Sequence, residues 1–78
     1  MTEFGRALSE WVRSEPASKV FSGKTTEEAY ANAYAAFPAR DKFDKNQFVL
    51  RLRAFGVTPQ YRPLMKNAAG PWAVFIRG

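Results

Sequence analysis

The sequence predicts an α+β fold with the element order helix, strand, helix, helix, strand, strand. Three observations carry that prediction. Three stretches repeat apolar residues at helical spacing, each with its own start or stop signal. A stretch near the C-terminus alternates with period two. The chain is 78 residues long, room for one domain spanning 1–78 with a thin core.

The first helix is read from Phe4, Ala7, Leu8, Trp11 and Val12, at i, i+3, i+4, i+7 and i+8. Thr2 is its N-cap, Glu3 favours its first turn, and Pro16 stops it, giving about Glu3–Ser14. Lys19–Ser22 holds Val20 and Phe21 ahead of Gly23, too short for a helix and suited to a minimal strand. Thr25 with Glu28 forms a capping box for a second helix, with Ala29, Tyr30, Ala33, Tyr34 and Phe37 as its buried stripe and Pro38 at its end. Ala39–Phe43 reads as a polar, charged turn. Asp44 caps a third helix, Lys45–Phe55, and Gly56 stands at the position that wants a left-handed residue. Its buried stripe is Phe48, Leu52 and Phe55, widened by Val49; Asn46, Gln47, Leu50, Arg53 and Ala54 point the other way, with Arg51 at the edge. Val57–Arg62 reads as an edge strand, since Pro59 and Pro63 interrupt it. Lys66–Gly70 is a loop. Trp72, Val74 and Ile76 then alternate with Ala73, Phe75 and Arg77 as a final strand, with Trp72 read as core.

Composition removes whole classes of chemistry. Cysteine and histidine are both absent. That excludes disulfide scaffolds, thiolate or imidazole metal sites, thiol nucleophiles and an imidazole general base. No enzyme, metal or cofactor is expected. No apolar run approaches the roughly 18 residues of a membrane span. The opening Thr2-Glu3-Phe4 is unlike a secretory leader, so the expected location is the cytoplasm of a bacterial or phage-infected cell, without a membrane partner.

Charge is distributed unevenly. Residues 1–39 sum to −1, whereas residues 40–78 carry eight basic side chains against Asp41 and Asp44, a sum of +6. After Asp44 there is no acidic residue. A neutral half joined to a basic half points to one surface that meets a polyanion.

The element order is that of a winged helix: two helices form a helix-turn-helix, and the terminal hairpin with the short strand makes a small sheet whose loop is the wing. Lys24-Thr25-Thr26-Glu27-Glu28-Ala29-Tyr30 opens the second helix, and Phe48-Val49-Leu50-Arg51-Leu52-Arg53-Ala54-Phe55-Gly56-Val57 runs through the third. With Tyr61-Arg62-Pro63 and Gly70-Pro71-Trp72 in the hairpin, these segments resemble the winged-helix domains at the C-terminal end of phage and plasmid primase-helicases and in small phage DNA-binding proteins. The resemblance covers most of the chain and implies DNA binding by the third helix and the wing, as a replication accessory or transcriptional regulator. The chain departs from the pattern at Pro38–Phe43, longer than the turn of a tight helix-turn-helix, and no helicase or primase domain is expected with it, so a catalytic role is not implied.

The residues fit that expectation in kind. Asn46 and Gln47 match adenine edges, Arg53 matches guanine, and Leu50 suits a thymine methyl, a protein partner or packing on the sheet. Lys45, Arg51, Arg62 and Lys66 are expected on phosphates, which fix register without reading sequence. A solvated helix face is the plain alternative for this set. The competing function is a small basic module that binds an acidic protein partner, favoured if Leu50, Leu64 and Met65 are exposed. Other motifs have simpler explanations. Ser22-Gly23-Lys24-Thr25 lacks the earlier glycine of a phosphate loop, since position 18 is Ser18. Glu27, Glu28, Asp41 and Asp44 sit at helix starts, where carboxylates cap. Tyr30 and Tyr34 lie on a core stripe, and Tyr61 has no metal cluster to make it a nucleophile.

Overall fold

A computed structural model of the chain describes residues 2–14, 19–63 and 69–76. It contains three helices, α1 (Glu3–Arg13), α2 (Thr26–Ala36) and α3 (Lys45–Ala54). The three strands are β1 (Lys19–Gly23), β2 (Gln60–Tyr61) and β3 (Trp72–Ile76), so the predicted order α-β-α-α-β-β holds. β3 is central and antiparallel to both neighbours, giving the sheet order β1-β3-β2. Lys19 pairs with Ile76 and Gly23 with Trp72 on one side; Tyr61 pairs with Trp72 on the other.

Each helix begins where its cap dictates. The Thr2 hydroxyl accepts from the Gly5 amide at 3.0 Å, and the Thr25 hydroxyl from the Glu28 amide at 3.1 Å. The Glu28 carboxylate reaches back to the Lys24 amide at 2.7 Å, so the second box closes one residue earlier than a standard one. The two hydroxyl bonds satisfy N–H groups that the first helical turn leaves without partners.

The core is an aromatic stack supplied by every helix. Phe4 of α1 meets Phe43 edge-on at 5.3 Å, and Phe37 lies 5.0 Å from Phe48 of α3. Trp11 bridges the layers, tilted on Phe37 at 5.2 Å and stacked on Phe21 of β1 at 5.6 Å. Val74 and Ile76 of β3 close the core from the sheet side. Rings at these separations add attraction beyond the area they bury, which matters in a chain with little core to spare.

The structure corrects several expectations. α1 ends at Arg13, because Ser14 turns out and caps: its amide and hydroxyl both donate to the Trp11 carbonyl. The expected stop at Pro16 lies outside the described residues. β1 runs one residue further, to Gly23. Phe43, read as part of a polar turn, is a core residue. Two turn bonds, Arg40 amide to Phe37 carbonyl and Lys42 amide to Ala39 carbonyl, swing it inward, and the Tyr34 hydroxyl holds its carbonyl at 2.6 Å. β2 is only Gln60–Tyr61, not Val57–Arg62. The Val57 amide is committed to the end of α3, and Pro59 has no N–H to give a ladder. Trp72 is half-buried, packed against the core but with its other side toward Tyr61.

The root of the β2–β3 connection is fixed by close backbone approach. A Cβ on Gly70 would run into the Gly23 carbonyl and the Lys24 amide, and one on Gly23 would meet the start of α2. The Ser22 hydroxyl accepts from the Ala69 amide at 2.9 Å, and the Asn32 side chain donates to the Ser22 carbonyl at 2.6 Å. β1, α2 and the base of the connection therefore form one clamp. Gly70→Ala is expected to cost about 1–3 kcal/mol, because the obstructing atoms are backbone and cannot rotate away. Urea unfolding checks this; a variant as stable as the parent means the approach is looser than described.

Candidate nucleic-acid interface

The candidate surface is built on α3, so what holds α3 sets its geometry. Asp44 caps the helix through its carboxylate, which accepts from the Gln47 amide at 2.8 Å. Phe48 and Leu52 are fully buried and pin one face against α1 and α2. At the far end the Val57 amide bonds the Leu52 carbonyl and the Gly56 amide bonds the Arg53 carbonyl, a Schellman closure. Gly56 has φ 81°, the left-handed conformation this closure needs.

With one face pinned, the opposite face is fixed by helical geometry. Asn46, Gln47, Leu50 and Arg53 are all exposed, and their spacings of three and four residues make them neighbours around Leu50. Leu50 is 64% exposed at the centre of that arc. Among the described residues, no side-chain hydrogen bond engages Asn46 or Gln47. Both carboxamides therefore present a full set of donors and acceptors to whatever meets the face.

The arginines are positioned by aromatic rings. Arg53 lies over the Tyr30 ring at 5.8 Å, drawn toward α2. Arg51 lies over Phe43 at 5.6 Å and Phe4 at 5.9 Å, on the other flank of α3. Arg62, just past β2, lies over Phe75 at 5.7 Å and donates to the Gln60 side chain and the Tyr61 carbonyl. A guanidinium near a ring face keeps its charge and N–H groups for an anion, so these contacts favour the positions of the three cations without neutralising them. Lys45 is exposed in the first turn of α3. The structure thus gathers Asn46, Gln47, Leu50 and Arg53 into one arc with Arg51 on one flank, leaves Lys45 exposed in the first turn about 140° around the axis from Leu50, and puts Arg62 just past β2. Lys66 lies outside the described residues, as do Leu64, Met65 and Arg77.

Two surface features escaped the sequence reading. Phe55, expected on the buried stripe as the last residue of the third helix, is 54% exposed. α3 stops at Ala54, and Phe55 is its C-cap, stacking one side of its ring on Phe4 at 6.0 Å with the other side free of the core. Tyr61 is 55% exposed and meets Trp72 edge-on at 5.3 Å. That cross-strand pair depends on the hairpin register, which the interrupting prolines hid.

The rival motifs are occupied by structural work. Lys24 and Thr25 are tied into the α2 cap, so Ser22–Thr25 forms no open phosphate cradle. The Tyr30 hydroxyl donates to the Val57 carbonyl at 3.2 Å, and Tyr34 is held between the Arg40 and Phe43 carbonyls. Among the described residues, no group of three or more acidic side chains clusters where a metal ion would bind. No helix among them is long and apolar enough to cross a membrane. A groove of about 340 Å³ between α1 and the α2–α3 connection is lined by Glu10, Trp11, Pro38 and Lys42, among others. In comparison with known proteins, the chain matches no family model, no curated relative and no solved structure.

Proposed function

We propose that this chain is a winged-helix DNA-binding module, acting as a replication accessory or transcriptional regulator. α3 would enter the major groove, and the β2–β3 connection would act as the wing on the backbone. The observation that carries the reading is the outer face of α3: carboxamides and a leucine at its centre, the exposed Arg51 on one flank, and no acidic side chain after Asp44. Such a face combines groups that match base edges with groups that grip phosphate. The element order and the sheet order β1-β3-β2 support the winged-helix part, while the long connection at residues 37–44 departs from a tight helix-turn-helix.

A second reading is a basic module for an acidic protein partner, and the exposed Leu50 and Phe55 favour it. Substitution separates the two. Asn46→Ala or Gln47→Ala is expected to cost about 1–3 kcal/mol on a preferred duplex and little on a scrambled one, since base contacts exist only on the right sequence. Lys45→Ala is expected to weaken both duplexes by a similar factor, as a phosphate contact does. Fluorescence anisotropy on labelled duplexes measures both. Equal losses on both duplexes for all three variants would remove sequence reading from α3.

A further inference from the structure

The geometry points to A·T base pairs as what α3 reads, with Leu50 against a thymine methyl and Asn46 or Gln47 on an adenine edge. This rests on the DNA-binding reading and goes further by narrowing the bases to A·T pairs. Leu50 is 64% exposed on the side of α3 opposite the buried Phe48 and Leu52. At roughly 100° per residue, Asn46, Gln47, Arg53 and Ala54 all fall within about 60° of it. Leu50 is thus bordered by the two carboxamides toward the start of the helix and by Arg53 and Ala54 toward its end. In the major groove the only apolar feature on a base edge is the C5-methyl of thymine. Adenine, its pairing partner, offers an acceptor and a donor side by side, which a carboxamide matches with both its atoms.

Guanine is the base an arginine reads, and the arginine nearest the centre is placed otherwise. Arg53 is drawn over Tyr30 at 5.8 Å, toward α2 and away from the middle of the face. A protein partner is the rival occupant, and the spacing of apolar residues argues against it. Phe55 is the other large apolar side chain exposed at this end of α3, and five residues place it roughly 140° around the axis from Leu50. The two do not merge into the contiguous patch that a protein interface uses. The charge beside the face is cationic, with Arg51 exposed on one flank and no acidic side chain after Asp44, complementary to the phosphates that border a groove.

The test uses the full chain and a pool of random duplexes. Bound duplexes are recovered and sequenced, and thymines in the recovered site are replaced one at a time by uracil, which removes only the methyl. Enrichment of A·T pairs is expected, with one or two uracil positions weakening binding by about three- to fivefold, the scale of one buried methyl. Leu50→Ala should bind the thymine site about three- to fivefold more weakly and lose all sensitivity to uracil, while melting like the parent because the side chain is exposed. Recovered sites without A·T enrichment, or uracil effects unchanged by Leu50→Ala, overturn the inference and leave Leu50 for a protein contact, with DNA binding itself intact. Failure to bind any duplex in the pool overturns both this inference and the reading beneath it.

Discussion

Phe48→Ala is expected to unfold much of the population at physiological temperature. Phe48 has no solvent exposure and sits among the rings of Phe37 at 5.0 Å, Tyr34 at 5.3 Å and Phe4 at 6.2 Å. Truncation removes the transfer energy of the ring and leaves a hole that three aromatic neighbours cannot collapse to fill. Such losses run to about 3–5 kcal/mol. A domain of this length has a total of about 4–12 kcal/mol to lose. The melting temperature should fall by at least about 12 °C, taking the smallest shift per kcal/mol seen for domains of this size. Circular dichroism melts measure it, and DNA binding by the variant should track its folded fraction. A Phe48→Ala protein that melts with the parent would mean that α3 presents a different face to the core, and the outer arc around Leu50 would be misassigned.

Much of this fold was legible because local signals and the apolar pattern agree. Thr2, Thr25 and Asp44 start helices where side-chain oxygens can reach the third amide onward, and Gly56 closes the last helix where a left-handed residue is needed. The reading failed where tertiary packing decides. Phe43 stands alone between Lys42 and Asp44, so no periodicity marks it, and only the turn bonds bring it to Phe4. Phe55 has the right phase for burial, but it falls after the last helical residue, where the chain is already turning away. β2 shrank because its length depended on amides that the Schellman closure and Pro59 withhold. The outer face of α3 was legible as soon as the inner one was, since helical phase ties them together. The placement of the arginines on Tyr30, Phe43 and Phe75 was not, because each ring comes from a different element.

The second large effect is the response of binding to salt. Lys45, Arg51, Arg62 and Lys66 are the cations assigned to phosphate, and no acidic side chain after Asp44 offsets them. Each phosphate they neutralise releases condensed counterions into bulk, so raising the salt opposes binding by mass action. With about four to six contacts, log K should fall against log salt with a slope near −4 to −5, at roughly −0.9 per contact. Between about 50 and 200 mM salt that is a loss of about 10²–10³-fold in affinity. Apolar burial at Leu50 or at Phe55 alone would respond far less, because it involves no comparable ion release, whereas an acidic protein partner would also be salt-sensitive, so binding to the duplex itself separates the readings. Fluorescence anisotropy of a labelled duplex, titrated with the full chain across that salt range, is the measurement that tests the central claim most directly. Binding at low salt with a slope of about −4 to −5 is the predicted result. No binding at the lowest salt, or an affinity flat across the range, would contradict it.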